Sequence, residues 1–130
     1  MKAVMPYMKQ LGKGKIINTS SATILLGIPL LLAYATSKSA IVGMTRCVAT
    51  EVGEFGINVN TICPGLTMTE ASTEMPGQPP GLPEFVSSMA ALGRSEQPED
   101  LVGTALFLAS EDSDFITGNM IVVDGGGSRY

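Results

Sequence analysis

Three short runs rich in β-branched residues, at 15–20, 57–62 and 119–123, punctuate this chain, and the stretches between them carry helical spacing. That alternation limits the fold more than anything else in the sequence. Strands alternating with helices imply parallel strands joined by crossovers, which are expected to be right-handed. Three parallel strands with helices between them are a fragment of a doubly wound α/β sheet. The first run would then lie at a sheet edge. An apolar edge strand is an association hazard unless something pairs with it, which points to sequence upstream of Met1.

The stretches between the runs can be read in the same way. Met1, Val4, Met5 and Met8 recur at helical spacing over residues 1–10, and Gly12 and Gly14 close that helix. Residues 21–33 read as an apolar loop broken by Gly27 and Pro29. A long helix is expected over 34–54, with Ala35, Ala40, Ile41, Met44, Val48, Ala49 and Val52 on its apolar face. Pro64-Gly65 ends the second strand. Residues 66–95 hold Pro76, Pro79, Pro80 and Pro83 with Gly77 and Gly81, and read as one long irregular segment, the kind usually tied to function or mobility. A last helix is expected over 98–110, with Pro98 in its first turn and Glu99-Asp100 near its positive end.

Composition narrows the function. The net charge is −4, with no Lys/Arg run, so the basic stripe needed for nucleic acid is missing. Histidine is absent, which leaves Tyr, Lys, Cys or carboxylates for any proton chemistry. Only 15% of residues are charged and mean hydropathy is +0.28, apolar for a small free-standing monomer. The most apolar stretch, 24–35, is too short to span a bilayer and is interrupted by Gly27 and Pro29. Residues 1–6 lack the apolar core of a signal peptide. Cys47 and Cys63, with no C-x-x-C spacing, read as two buried reduced thiols. A soluble cytoplasmic protein is expected.

Tyr34 and Lys38 stand four residues apart at the start of the long helix, on one face and one turn apart. A free tyrosine loses its proton only near pH 10, and an ammonium held close favours the phenolate. The pair can therefore act as an acid/base catalyst. Ser21 follows the first strand, at the end of the sheet where open α/β folds bind ligands. Taken singly these signals are weak. Tyr-x-x-x-Lys is more often helix-surface packing, Ser20-Ser21 more often turn chemistry, and Pro64-Gly65 more often a plain turn. Their joint arrangement is what carries weight.

The strings Gly14-Lys15-Ile16-Ile17-Asn18-Thr19-Ser20-Ser21, Tyr34-Ala35-Thr36-Ser37-Lys38 and Asn58-Val59-Asn60-Thr61-Ile62-Cys63-Pro64-Gly65 closely resemble the short-chain dehydrogenase/reductase family, in particular its oxoacyl-carrier-protein-reductase-like members. So do Ile116-Thr117-Gly118-Asn119 and Val123-Asp124-Gly125-Gly126, and the likeness covers nearly the whole chain in the family's order. The resemblance implies residues 1–130 to be the C-terminal catalytic half of a single Rossmann-type domain, with the N-terminal dinucleotide-binding half absent. It implies hydride transfer between NAD or NADP and a small-molecule carbonyl or alcohol, with Tyr34 exchanging the proton. Lys38 would hold the nicotinamide ribose, and Ser21, a better match than Ser20, would orient the carbonyl. Pro64 and Gly65 would bring backbone close to the nicotinamide, and Thr67 by its backbone and Thr69, the better match, by its hydroxyl would contact its carboxamide. Homo-oligomers built through helices matching 1–11 and 34–54 are implied for the full-length form.

Departures from the family pattern also shape the reading. No G-x-G-x-x-G occurs among the 130 residues, and Gly125-Gly126-Gly127 lies at the wrong end to serve. The residue selecting NAD over NADP, and the Asn completing the family's proton relay, would lie upstream; Asn18 is not that Asn. A second reading stands beside the first: an inactive fragment that at most associates with a full-length partner. Met68, Met75 and Met89 are candidates to line a substrate pocket, with plain apolar packing the alternative. Glu70, Glu74 and Glu84 read as solvated loop charges.

Overall fold

A computed structural model describes residues 1–73 and 80–128 of the chain. Glu74 and Met75 lie outside the described residues. In chain order the elements are α1 (Met5–Leu11), β1 (Gly14–Thr19), α2 (Thr23–Leu26), α3 (Leu32–Val52), β2 (Ile57–Pro64), α4 (Glu70–Thr73), α5 (Leu82–Met89), α6 (Pro98–Ala109) and β3 (Met120–Val123). The three strands are parallel in the order β1-β2-β3, so β1 is at an edge as expected and β2 is central. Among the described residues no helix is long and apolar enough to cross a membrane.

Strand register sorts the side chains onto two faces. Gly14 pairs with Ile57, Ile16 with Val59 and Asn18 with Thr61, and successive residues alternate sides. Ile16, Ile57 and Val59 form the core with Ala49 and Val52 of α3, and Met5, Met8, Val48 and Phe55 pack against it. A polar seam continues on that face: the Asn18 amide donates to Thr45 Oγ1 at 2.8 Å, and the Thr45 and Thr61 hydroxyls lie 2.7 Å apart, both buried. The opposite face carries Lys15, whose ammonium reaches Ser113 and Asp114 in the turn just after α6. Asn58 and Asn60, on that same face, donate to the carbonyls of Asp114 and Ile116. Helix α3 thus covers one face, and the turn that ends α6 covers the other.

This placement corrects the expectation on handedness. Both crossovers step across the sheet in the same direction, so helices on opposite faces give them opposite hands, and one of the two departs from the right-handed rule. The connection between β2 and β3 is long enough to pass from one face to the other before α6 begins.

Several local expectations also shift. Residues 21–33 contain the one-turn α2, and α3 begins two residues early, at Leu32. The inward face of α3 carries Val42, Thr45, Ala49 and Val52, while Met44 is exposed and Ala40 lies outside. Thr45 can lie on that face because its hydroxyl is partnered there by Asn18 and Thr61. Segment 66–95 is not wholly irregular: it contains α4 and the two-turn α5, with Pro83 in the first turn of α5, where a missing N–H costs nothing. Cys63 is buried as expected, but Cys47 is exposed. The turn after α3 needs glycine at Gly56: φ is +69°, and a Cβ there would meet the Gly12 carbonyl oxygen at 2.3 Å.

Candidate active site

The C-terminal ends of β1 and β2 meet the first turns of α3, the place where parallel α/β sheets take ligands. Ser20 continues the ladder by donating its N–H to the Ile62 carbonyl at 2.8 Å, and Ala22 donates to the Pro64 carbonyl at 2.8 Å. The Ser20 hydroxyl donates to the Lys38 carbonyl at 2.8 Å and is buried. Ser20 is therefore committed to fastening α3 onto the strand end. Ser21 is also buried. Its hydroxyl donates to Thr23 Oγ1 at 3.0 Å and accepts the Thr23 N–H, a local turn that starts α2. Thr23 was not singled out from the sequence.

Tyr34 sits in the first turn of α3 and is 44% exposed. Lys38 lies one turn on, with its ammonium 5.8 Å from the centre of the Tyr34 ring. The ammonium donates to the Thr19 carbonyl at 3.3 Å, at the last residue of β1. An ammonium has three donors, and the bond to Thr19 uses one. The segment joining Ser21 to Tyr34 includes Leu30, fully exposed and held at φ +66°, a conformation uncommon for a leucine. Cys63 is wholly buried at the end of β2. Burial pushes its thiol pKa up, against the opposing pull of the Ser20 side chain, the Ser21 backbone and the Lys38 charge.

The loop leaving β2 carries the remaining candidates. Gly65 N–H is shared between the Val123 carbonyl and Glu96 Oε2, each at 2.9 Å. The Thr67 hydroxyl donates to Glu96 Oε1 at 2.7 Å. Thr69 caps α4: its Oγ1 accepts the Ser72 N–H, and its own N–H donates to Ser72 Oγ. The structure thus brings Ser21, Tyr34, Lys38, Pro64 and Gly65 to one end of the sheet, with Thr67 and Thr69 on the loop that continues from it. Glu84 and Met89 lie exposed on α5, while Met68 is half-buried beside Thr67. Glu96 was missed from the sequence. It stands 31 residues from Gly65, and nothing in the local string Ser95-Glu96-Gln97-Pro98 marks it. Among the described residues no group of His, Cys, Asp or Glu could hold a metal ion.

This donor set suits an organic cofactor with sugar hydroxyls. A surface phenol can give or take a proton, an ammonium one turn away has donors beyond its protein bond, and Pro64-Gly65 bring backbone to the same end of the sheet. Among known proteins, the family model described as enoyl-(acyl carrier protein) reductase matches residues 1–128. L-2,3-butanediol dehydrogenase of Corynebacterium glutamicum is 42% identical over 123 residues, covering 88% of this chain and 47% of that protein. A gluconate 5-dehydrogenase from Burkholderia cenocepacia, solved with NADP and tartrate, superposes with a TM-score of 0.88 at 34% identity, covering 96% of this chain and 49% of that one. A short-chain type dehydrogenase/reductase from Mycobacterium ulcerans superposes at 0.89 with 30% identity, over 98% of this chain and 46% of that one. The chain spans about half the length of the relatives it matches. With a family model matching almost end to end and these folds superposing over nearly all of it, the chain belongs to the short-chain dehydrogenase/reductase family of oxidoreductases.

Proposed function

We propose that these residues form the nicotinamide side of an NAD(P)-dependent carbonyl/alcohol oxidoreductase, the C-terminal half of one Rossmann-type domain. The observation that carries this reading is the Tyr34–Lys38 pair on one face of α3, tied by Lys38 to the end of β1. NAD(P), when bound, supplies or accepts the hydride. Tyr34 Oη gives a proton to the substrate oxygen in reduction and takes it back in oxidation. Lys38 brings positive charge to that phenol and offers its remaining donors to ribose hydroxyls. Ser21 orients the carbonyl oxygen, for which its hydroxyl turns away from Thr23. Pro64 and Gly65 give the nicotinamide a flat backbone surface, and Thr67 and Thr69 hold its carboxamide. NADP bound to the Burkholderia gluconate 5-dehydrogenase supports the cofactor class. The butanediol dehydrogenase and gluconate 5-dehydrogenase names support a small hydroxylated substrate.

The test is Tyr34→Phe in any form of the protein that turns over a carbonyl substrate. Turnover should fall by about 10²-fold or more, the low end of what positioned proton transfer contributes. Circular dichroism and dinucleotide binding should be unchanged. A Phe variant with near-native turnover would remove Tyr34 from the mechanism.

A further inference from the structure

We infer that Glu96 is a positioning residue for the dinucleotide, acting through the loop that leaves β2; this rests on the function proposed above. Three bonds tie Glu96 to residues 65–68. Its carboxylate accepts the Gly65 N–H at 2.9 Å and the Thr67 hydroxyl at 2.7 Å, and its backbone carbonyl accepts the Met68 N–H at 2.8 Å. A parallel bridge between Thr67 and Glu96 lays the two segments side by side. This is the stretch on which the nicotinamide contacts are proposed to lie. The fit leaves no slack: a Cβ on Gly65 would come within 2.9 Å of Glu96 Oε2 and 3.1 Å of the Asp124 Cβ.

Glu96 is itself held from the other side. Arg94 grips Asp100 through two short bonds, and Asp100 accepts the Gln97 N–H, so residues 94–100 form a strap across the start of α6. A carboxylate at this point also lies near the positive end of that helix. The strap fixes Glu96, and Glu96 fixes the loop. Because Thr67 donates its hydroxyl hydrogen to Glu96, its side chain is held against the strap and its backbone is left to face the ligand. A loop set in advance saves the ordering cost that binding would otherwise bear. The carboxylate thereby raises dinucleotide affinity without touching the dinucleotide.

The experiment pairs amide exchange with kinetics on the parent, Glu96→Ala and Glu96→Gln. In the protein without cofactor, Glu96→Ala should speed exchange of the Gly65 amide about three- to tenfold, short of the worth of a whole hydrogen bond because the N–H keeps the Val123 carbonyl. Glu96→Gln keeps an acceptor for Gly65 and should stay within about threefold of the parent. In the active protein, Glu96→Ala should raise the dinucleotide KM about tenfold, leaving kcat, the carbonyl-substrate KM and the thermal midpoint near the parent values. Unchanged Gly65 exchange in Glu96→Ala would overturn the inference alone. So would a fall in thermal midpoint with both KM values rising together, which marks a merely structural role. A parent that binds neither NADH nor NADPH, at any chain length that folds, would overturn the proposed function and with it the purpose of the clamp.

Discussion

At the scale of single residues, Asp124 and Thr45 give the clearest tests. Partial burial pushes the Asp124 carboxyl pKa up, but bonds from the Ser128 hydroxyl and the N–H groups of Ser128, Gly126 and Gly127 outweigh it, and the net shift is downward. Its folded pKa therefore lies below the unfolded value of about 3.9. Such a group contributes stability that is fully present above the unfolded value and is lost as pH falls through the folded one. Urea unfolding across the acid range should show the parent losing more stability than Asp124→Asn on going below about pH 4. Thr45→Val leaves the Asn18 amide and the Thr61 hydroxyl short of a partner in a dry place, and should cost about 1–3 kcal/mol by the same measurement. Tyr34, Lys38 and Ser21 could be proposed from the sequence because they stand in short strings with fixed spacing. Glu96 was not legible, because its partners are distant in sequence and a lone glutamate before Gln-Pro resembles any surface charge. Ser20 and Ser21 could be ranked only by spacing; in the structure the Ser20 hydroxyl bonds the Lys38 carbonyl and the Ser21 hydroxyl bonds Thr23.

Among elements, the strands and α6 follow the sequence reading within a residue or two, because β-branched runs and an N-terminal Pro-Glu-Asp are local signals. Helix α5 did not follow it. Its segment is rich in Pro and Gly, and proline reads as a breaker until its place in the first helical turn is known. The inward face of α3 is only partly legible for a related reason: apolar residues lie all round this helix, so composition does not single out the face that meets the sheet. Helix α6 begins at a charged strap whose Asp100 carboxyl is held well below the usual carboxylate range, first by the Arg94 side chain and then by the Gln97 N–H. Asp100→Ala should fray the first turn of α6 and loosen Glu96 at the same time. The check is faster amide exchange at Leu101 and Val102 together with Gly65; a change confined to α6 would separate the strap from the loop.

The whole molecule exposes 8224 Å², against about 6,500 Å² for a compact monomer of 13.5 kDa. The excess, about 1,700 Å² on one chain, is about twice the roughly 800 Å² that each partner gives to a standard protein interface. Exposed Val102 and Leu106 on α6, Phe115 beyond it, and Tyr7 and Leu11 on α1 show where apolar surface lies open. The 130-residue chain should therefore associate as its concentration rises, seen as a growing mass by analytical ultracentrifugation. It should also bind NAD(P) weakly or not at all in calorimetric titration, since no glycine-rich phosphate turn lies within it. Tight, saturable binding would contradict that. The opposite hands of the two crossovers were beyond the sequence, since hand depends on which face each helix covers and no local string encodes it. The contrast between the two thiols supplies a gauge for all of these tests. Cys47 is open to a thiol reagent at all times, whereas Cys63 reacts only when β2 parts from its cover. The ratio of their labelling rates, corrected for the raised Cys63 pKa, counts how often the sheet opens at the site, with each factor of ten equal to about 1.4 kcal/mol. Any ligand or partner that closes the sheet should slow Cys63 and leave Cys47 unchanged.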